Sequence, residues 1–199
     1  MSAVISSQSE ARLEGSVCPW WLGYLLNNPL RRLIDAPEKL LEKYVSEGQT
    51  VLELGPGMGF YTIPLARRVG NHGKVIVVEL QEKMRRTLAH GLEKEGLASR
   101  AEIRGCEQRD LGLHSLAQTV DVVLALNVIH ETPDPKSTLE QLASTLRSQG
   151  ILVVCEPGGG HCPESLFQKE ILWCQGAGLA LVGEAERGIF RKKAVFRKE

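Results

Sequence analysis

The chain has 199 residues, 43% hydrophobic and 24% charged, with 24 basic residues offset by 24 acidic ones. Such a composition fits one globular domain that buries roughly 70% of its unfolded surface, and it excludes a disordered or fibrous chain. Zero net charge argues against an electrostatic nucleic-acid binder and gives no polybasic lure for anionic membranes, and no apolar run approaches the ~20 residues of a membrane span.

Residues 1–16 are polar, carry acids and lack the apolar stretch of a signal peptide, so a cytoplasmic location is expected. Five scattered cysteines (Cys18, Cys106, Cys155, Cys162 and Cys174), an odd number without a CxxC pair, read as reduced thiols. The stretch 18–35 is aromatic and aliphatic first and basic later, one or two short helices broken at Asn28-Pro29. From Pro37 a helix runs to a stop at Gly48.

Alternating units follow. TVLEL (50–54) is a strand, 61–69 a helix closed by Gly70, and KVIVVE (74–79) a strand of β-branched residues. A helix over 81–95 puts Met84, Leu88 and Leu92 on one face. Strands are expected at 101–104, 120–126 and 151–155, with helices starting at Asp134-Pro135 and over 163–175. Val- and Ile-rich strands between amphipathic helices predict an α/β fold: a three-layer, doubly wound, Rossmann-like sheet, mostly parallel. The last two strand-like runs, 179–184 and 192–198, are too close for a parallel crossover and should pair antiparallel.

The chemical signal is Glu53-Leu54-Gly55-Pro56-Gly57-Met58-Gly59, between the first strand and a helix. Glycines at alternate positions permit a sharp turn and close approach of a ligand, and the helix start offers free N–H groups. Met58-Gly59-Phe60 stands where a phosphate-binding loop needs Gly-Lys-Ser/Thr, and Phe60 breaks the dinucleotide GxGxxG pattern. Glu79 closes the second strand about 20 residues past the glycines, where an acid accepts hydrogen bonds from ribose hydroxyls.

At these residues the sequence resembles the class I S-adenosylmethionine-dependent methyltransferases of the small-molecule, methyltransferase-11-like type. VLELGPGMG is similar to the first motif of that family, VIVVEL to the second, IRGCEQRDLGL to the third and DVVLALNVIHETPDP to the fourth. The resemblance spans residues 37–199, with S-adenosyl-L-methionine as cofactor and an antiparallel last strand. It implies that Gly55, Gly57 and Gly59 line the methionine part of the cofactor and that Glu53 reaches its ammonium. Glu79 holds the ribose, Leu80 packs on the adenine, and Glu107 or Asp110, with the Gln108 backbone, addresses the adenine amino group. Asn127 borders the reactive sulfonium. The sequence departs from the family in having Glu53 for the commoner Asp, Pro56 for a small residue, and Cys106-Glu107-Gln108 in the third motif.

Methyl transfer from an activated sulfonium needs mainly proximity, so no dedicated catalytic motif is required. His130, Glu131 and His161 are the candidate bases for an acceptor that must lose a proton, and Glu156 lies on the same expected rim. His130, Cys155, His161 and Cys162 have irregular spacing, so no metal is expected. In this family the segment before the first strand commonly forms a lid. Residues 1–36 are therefore expected to be a leader and helical lid, with Trp20, Trp21 and Tyr24 against a small-molecule methyl acceptor. Asn127-Val128-Ile129-His130 is unlike the Asn/Asp-Pro-Pro-Tyr tetrapeptide, which with the neutral charge disfavours nucleic acid as acceptor, and the same charge and the lack of a long apolar run leave no membrane partner expected. A catalytically silent cofactor-binding module and a nicotinamide oxidoreductase remain as alternatives, and the sequence is silent on oligomeric state.

Overall fold

The structure, a computed structural model, describes residues 37–199. The expected lid, with Cys18, Trp20, Trp21 and Tyr24, lies outside the described residues. Helix α1 (Pro37–Tyr44) leads into β1 (Thr50–Leu54), α2 (Thr62–Arg68), β2 (Lys74–Glu79), α3 (Glu82–Lys94) and β3 (Ala101–Gly105). Then come β4 (Val120–Leu126), α4 (Pro135–Thr145), β5 (Leu146–Pro157), α5 (Glu164–Gly176), β6 (Leu179–Leu181), β7 (Glu186–Arg187) and β8 (Arg191–Lys198). The sheet order is β3-β2-β1-β4-β5-β8-β6, with β7 paired to β8. Strands β1 to β5 are parallel, and β8 runs antiparallel to both neighbours.

The sheet buries both faces, which is why its strands read as continuous Val/Ile/Leu runs. Under α4 and α5, Leu52, Val78, Val123, Val154 and Phe196 pack with Phe167 and Cys174. On the other face Val51, Val77, Leu124 and Val153 pack against Leu41, Leu65, Leu88 and Leu92. Helix α3 contributes Met84, Leu88 and Leu92 at a four-residue spacing. At α4, Pro135 takes the first turn and the Asp134 side chain accepts the Ser137 N–H at 3.0 Å.

Two expectations need correction. The strand expected at 151–155 starts at Leu146, directly after α4, and its register with β4 shifts between Val120 and Val122. Arg147, Ser148 and Gln149 are exposed, so no apolar alternation marks this stretch, while Arg147 is bonded to Asp121 across the edge. The run at 179–184 ends as a strand at Leu181, and two residues beyond it form β7 against Lys192 and Lys193.

One buried group works against the fold. Glu170 on α5 is 1% exposed, and neither carboxyl oxygen has a hydrogen-bond partner. Burial pushes its pKa up to about 9, Glu156 adds to the rise and Lys192 opposes it. The native state thus holds a proton that the unfolded chain releases above about 4.5, so this group makes stability fall as pH rises from there towards 9. Glu170→Leu is expected to stabilise the protein by about 1–3 kcal/mol at pH 7, the cost of burying an unsatisfied polar group, and to flatten that pH dependence. Urea denaturation at pH 6, 7.5 and 9 measures both.

Candidate functional site

The chain leaves β1 toward β2 and β3 and then returns to the other side of β1 as β4, so the order reverses at β1. A cavity opens there, at the carboxyl ends of β1, β2 and β4, under the glycine loop 55–59. Gly55, Gly57 and Gly59 all adopt left-handed backbone, with φ of +64°, +57° and +95°. Their surroundings differ. A Cβ on Gly55 would stand 2.6 Å from Val128 Cγ2, whereas one on Gly57 would meet nothing within 4 Å and would project into open space beside the cavity. A Cβ on Gly59 would strike Leu88 Cδ1 at 2.6 Å. Gly59 is not among the residues that line the cavity, and its lack of a Cβ lets Leu88 of α3 pack close to the turn before α2.

Two carboxylates converge under this loop. Glu53, between Val77 and Leu124 in the sheet, is 2% exposed, and its Oε2 accepts the Thr62 hydroxyl at 2.7 Å. Burial pushes its pKa up to about 7 against the Thr62 bond, and the charge of Glu79 adds to the rise. Glu79 ends β2 with its carboxylate bridging two backbone donors, Gln81 N–H to Oε1 at 2.8 Å and Gly57 N–H to Oε2 at 3.3 Å. Burial raises its pKa despite those bonds and the charge of Arg85. Arg85 fixes the same corner, donating from Nη1 to the carbonyls of Glu79 (2.7 Å) and Leu80 (2.8 Å). The cavity is thus acidic at its base, and Glu79 is pinned facing it.

Leu80, Met84 and Leu111 give one wall an apolar surface, and Cys106, Glu107 and Gln108 close its edge. Burial and the charge of Glu79 push the Cys106 thiol up to about 11, so it stays protonated. Of the two acids considered for the adenine edge, Glu107 lines this cavity; Asp110 does not, and its carboxylate accepts the Gly112 N–H at 2.9 Å. On the opposite side Asn127 lines the cavity with φ +57°, unusual for a residue bearing a side chain, and its N–H donates to the Cys155 carbonyl at 2.6 Å. That turn throws Val128 over Gly55, and the chain continues along the rim through Glu131, Thr132 and Pro133.

Other expected site residues are placed elsewhere. Glu156 was expected on the rim but is fully buried, with both oxygens engaged by the turn 129–131: Oε1 accepts the Ile129 N–H at 2.9 Å and Oε2 bonds His130 Nδ1. His130 stands between Glu156 and Glu131 and is not itself a lining residue. His161 is exposed on the loop after β5, outside the cavity. Cys155 and Cys162 are buried on opposite faces of the sheet, so they cannot ligate one ion. The sequence reading missed Arg85, Met84, Tyr61, Val128 and Thr132. Arg85 and Met84 lie within six residues of Glu79, the one signal that could have drawn attention to them.

A family model described as a methyltransferase domain matches residues 45–187. The tRNA 5-carboxymethoxyuridine methyltransferase of Escherichia coli strain K12 is 30% identical over 115 residues, 58% of this chain and 42% of that protein. A protein-L-isoaspartate O-methyltransferase of Methanococcoides burtonii is 27% identical over 110 residues, 55% of this chain and 50% of that one. The match therefore spans half or less of these curated relatives. A solved SAM-dependent methyltransferase from Aquifex aeolicus superposes with a TM-score of 0.80 at 26% identity, covering 92% of this chain and 100% of that one.

Proposed function

This chain belongs to the class I S-adenosylmethionine-dependent methyltransferases, and from that premise we propose that it methylates a small-molecule acceptor with S-adenosylmethionine as donor. The observation that carries the cofactor assignment is the Glu79 carboxylate, pinned by the Gly57 and Gln81 N–H groups at the edge of an acidic cavity. The donor set fits that cofactor: an acid for vicinal hydroxyls, an apolar wall for a purine, a buried acid for an ammonium, and a glycine cradle with room over Gly57.

The cofactor supplies a methyl group already activated on a cationic sulfur. Glu79 would accept from the ribose hydroxyls, and Leu80 and Met84 would pack on the adenine, with Glu107 and the Gln108 backbone at its amino edge. Gly55 and Gly57 let the main chain approach the methionine part, whose ammonium Glu53 attracts. Asn127 would border the methyl-bearing end of the cofactor, and Glu131 and Thr132 would border the acceptor. Holding the acceptor there supplies most of the rate, up to ~7–11 kcal/mol from proximity and alignment.

The curated relatives named for tRNA and protein substrates share barely more than half of this chain. A neutral chain lacks the basic excess that nucleic acid favours, which supports a small acceptor. Methyl-labelled cofactor incubated with the protein and separate small-molecule, tRNA and protein fractions tests this. Label in the small-molecule fraction is expected; label only in tRNA or protein would overturn the acceptor class and leave methyl transfer standing. Trp20, Trp21 and Tyr24 would cover that acceptor as a lid. Trp21→Ala is then expected to lower turnover about 100-fold, as loss of alignment does, while S-adenosylhomocysteine affinity measured by calorimetry holds. Equal losses in both would make Trp21 a cofactor or packing residue.

A further inference from the structure

We propose, on the basis of the methyl-transfer reading above, that His130 is the general base of this site, that buried Glu156 is its positioning residue, and that the acceptor carries a hydroxyl that loses its proton on methylation.

The premise is where β5 places its last carboxylate. Successive residues of β5 alternate between the two cores, Val153 and Cys155 facing one and Leu152 and Val154 the other, so Glu156 points under α5. A carboxylate with no exposed surface is costly unless its oxygens are engaged. Both are spent on one short turn, on the Ile129 N–H and on His130 Nδ1. A carboxylate on Nδ1 fixes the imidazole tautomer and leaves Nε2 as the proton acceptor. Nε2 lies 3.9 Å from Oε1 of Glu131, a residue that lines the cavity, and the His130 side chain is 11% exposed. The base therefore stands directly behind Glu131, beside the part of the rim that borders the acceptor space.

The charges around the ring suit a base. Glu131 flanks it from its own turn and Glu156 from β5. Behind Glu156 stand Glu170 of α5, protonated at neutral pH, and Lys192 of β8, which bonds the Cys162 carbonyl at 2.8 Å. Burial alone would lower the proton affinity of His130, but the Glu156 hydrogen bond and the charges of Glu156 and Glu131 outweigh it and raise the pKa above 6.5.

An acceptor already nucleophilic when neutral, such as a free amine, has no need of this arrangement; a hydroxyl does. In the step, the hydroxyl oxygen forms a bond to the methyl carbon as the carbon–sulfur bond breaks, its electron pair going to sulfur. The hydroxyl proton passes to His130 Nε2, where Glu156 and Glu131 stabilise the imidazolium, and then to water.

The test combines nitrogen NMR of the His130 ring in the S-adenosylhomocysteine complex with turnover of matched phenol and aniline probes. Neutral His130 is expected to carry its proton on Nδ1. In Glu156→Gln its proton affinity should fall at least about tenfold, with partial recovery in Glu156→Asp. Turnover of the phenol should fall about 100-fold or more in His130→Gln, with the rise of turnover through the His130 midpoint lost, while S-adenosylhomocysteine affinity stays the same. A proton found on Nε2, a His130 midpoint unmoved in Glu156→Gln, or a phenol methylated equally well by His130→Gln would each overturn the proposal. Should neither probe turn over, the wild-type tautomer alone decides it. Failure of S-adenosylhomocysteine to bind would sink the cofactor assignment instead, a separate result.

Discussion

Replacing Glu79 with alanine is expected to weaken S-adenosylhomocysteine binding about 100-fold or more. Each hydrogen bond to a charged group contributes about 1.5–3 kcal/mol, and a ribose offers its two hydroxyls to one carboxylate. Losing both at the lower figure already exceeds two decades of affinity. The loss is not one of folding. Burial raises the Glu79 pKa in the ligand-free protein, so removing its charge relieves a cost that offsets the loss of its bonds to the Gly57 and Gln81 N–H groups. The thermal midpoint of the free variant should therefore hold or rise while affinity collapses. Glu79→Gln keeps the acceptor shape without the charge and should fall between wild type and alanine. A large drop in melting temperature accompanying the lost affinity would instead make Glu79 structural, since it also receives the Gly57 and Gln81 N–H groups.

The second large effect is a pH signature centred on Glu53. Its pKa in the free protein is pushed up to about 7, so below neutrality most molecules carry a neutral acid where the ammonium of the ligand should lie. S-adenosylhomocysteine affinity is expected to be about tenfold weaker at pH 6 than at pH 8, and Glu53→Gln should remove most of that slope and bind at the weak level throughout. Stability of the free protein moves the other way. The native Glu53 keeps a proton that the unfolded chain gives up above about 4.5, so its contribution to stability falls as pH rises from 4.5 to about 7. Affinity rising while ligand-free stability falls over the same acid-to-neutral range is a pattern an ionised surface acid would not produce. Calorimetry and urea denaturation across pH 5.5–8 measure the two arms. A flat affinity profile would remove Glu53 from the binding site.

Much of this arrangement could be read from the sequence because it is written in backbone chemistry. Strands β1, β2 and β4 have the bounds expected from their apolar runs, since a strand covered on both faces reads as a nearly continuous apolar stretch. Gly55, Gly57 and Glu79 are tied to the site by local rules, a left-handed turn and an acid at a strand end. What could not be read depends on contacts between distant segments. Gly59 shares its spacing with the other two glycines, yet Leu88, from a helix beyond the next strand, decides what it does. The polar opening of β5 is held by pairing with β4 and by Arg147 on Asp121, neither visible in its own residues. Glu156 departs from the expected rim for a simpler reason: strand parity past the last apolar residue places it with Leu152 and Val154, under α5. The sequence points to His130, but the carboxylate that holds its ring lies 26 positions further along the chain.

The most direct measurement is a calorimetric titration of S-adenosylhomocysteine into the wild-type protein, with NADH as the control ligand. Micromolar binding of the adenosyl ligand at one site per chain, with no heat from NADH, is the predicted result. Absence of adenosyl binding, above all with NADH binding in its place, would contradict the assignment of this cavity to S-adenosylmethionine.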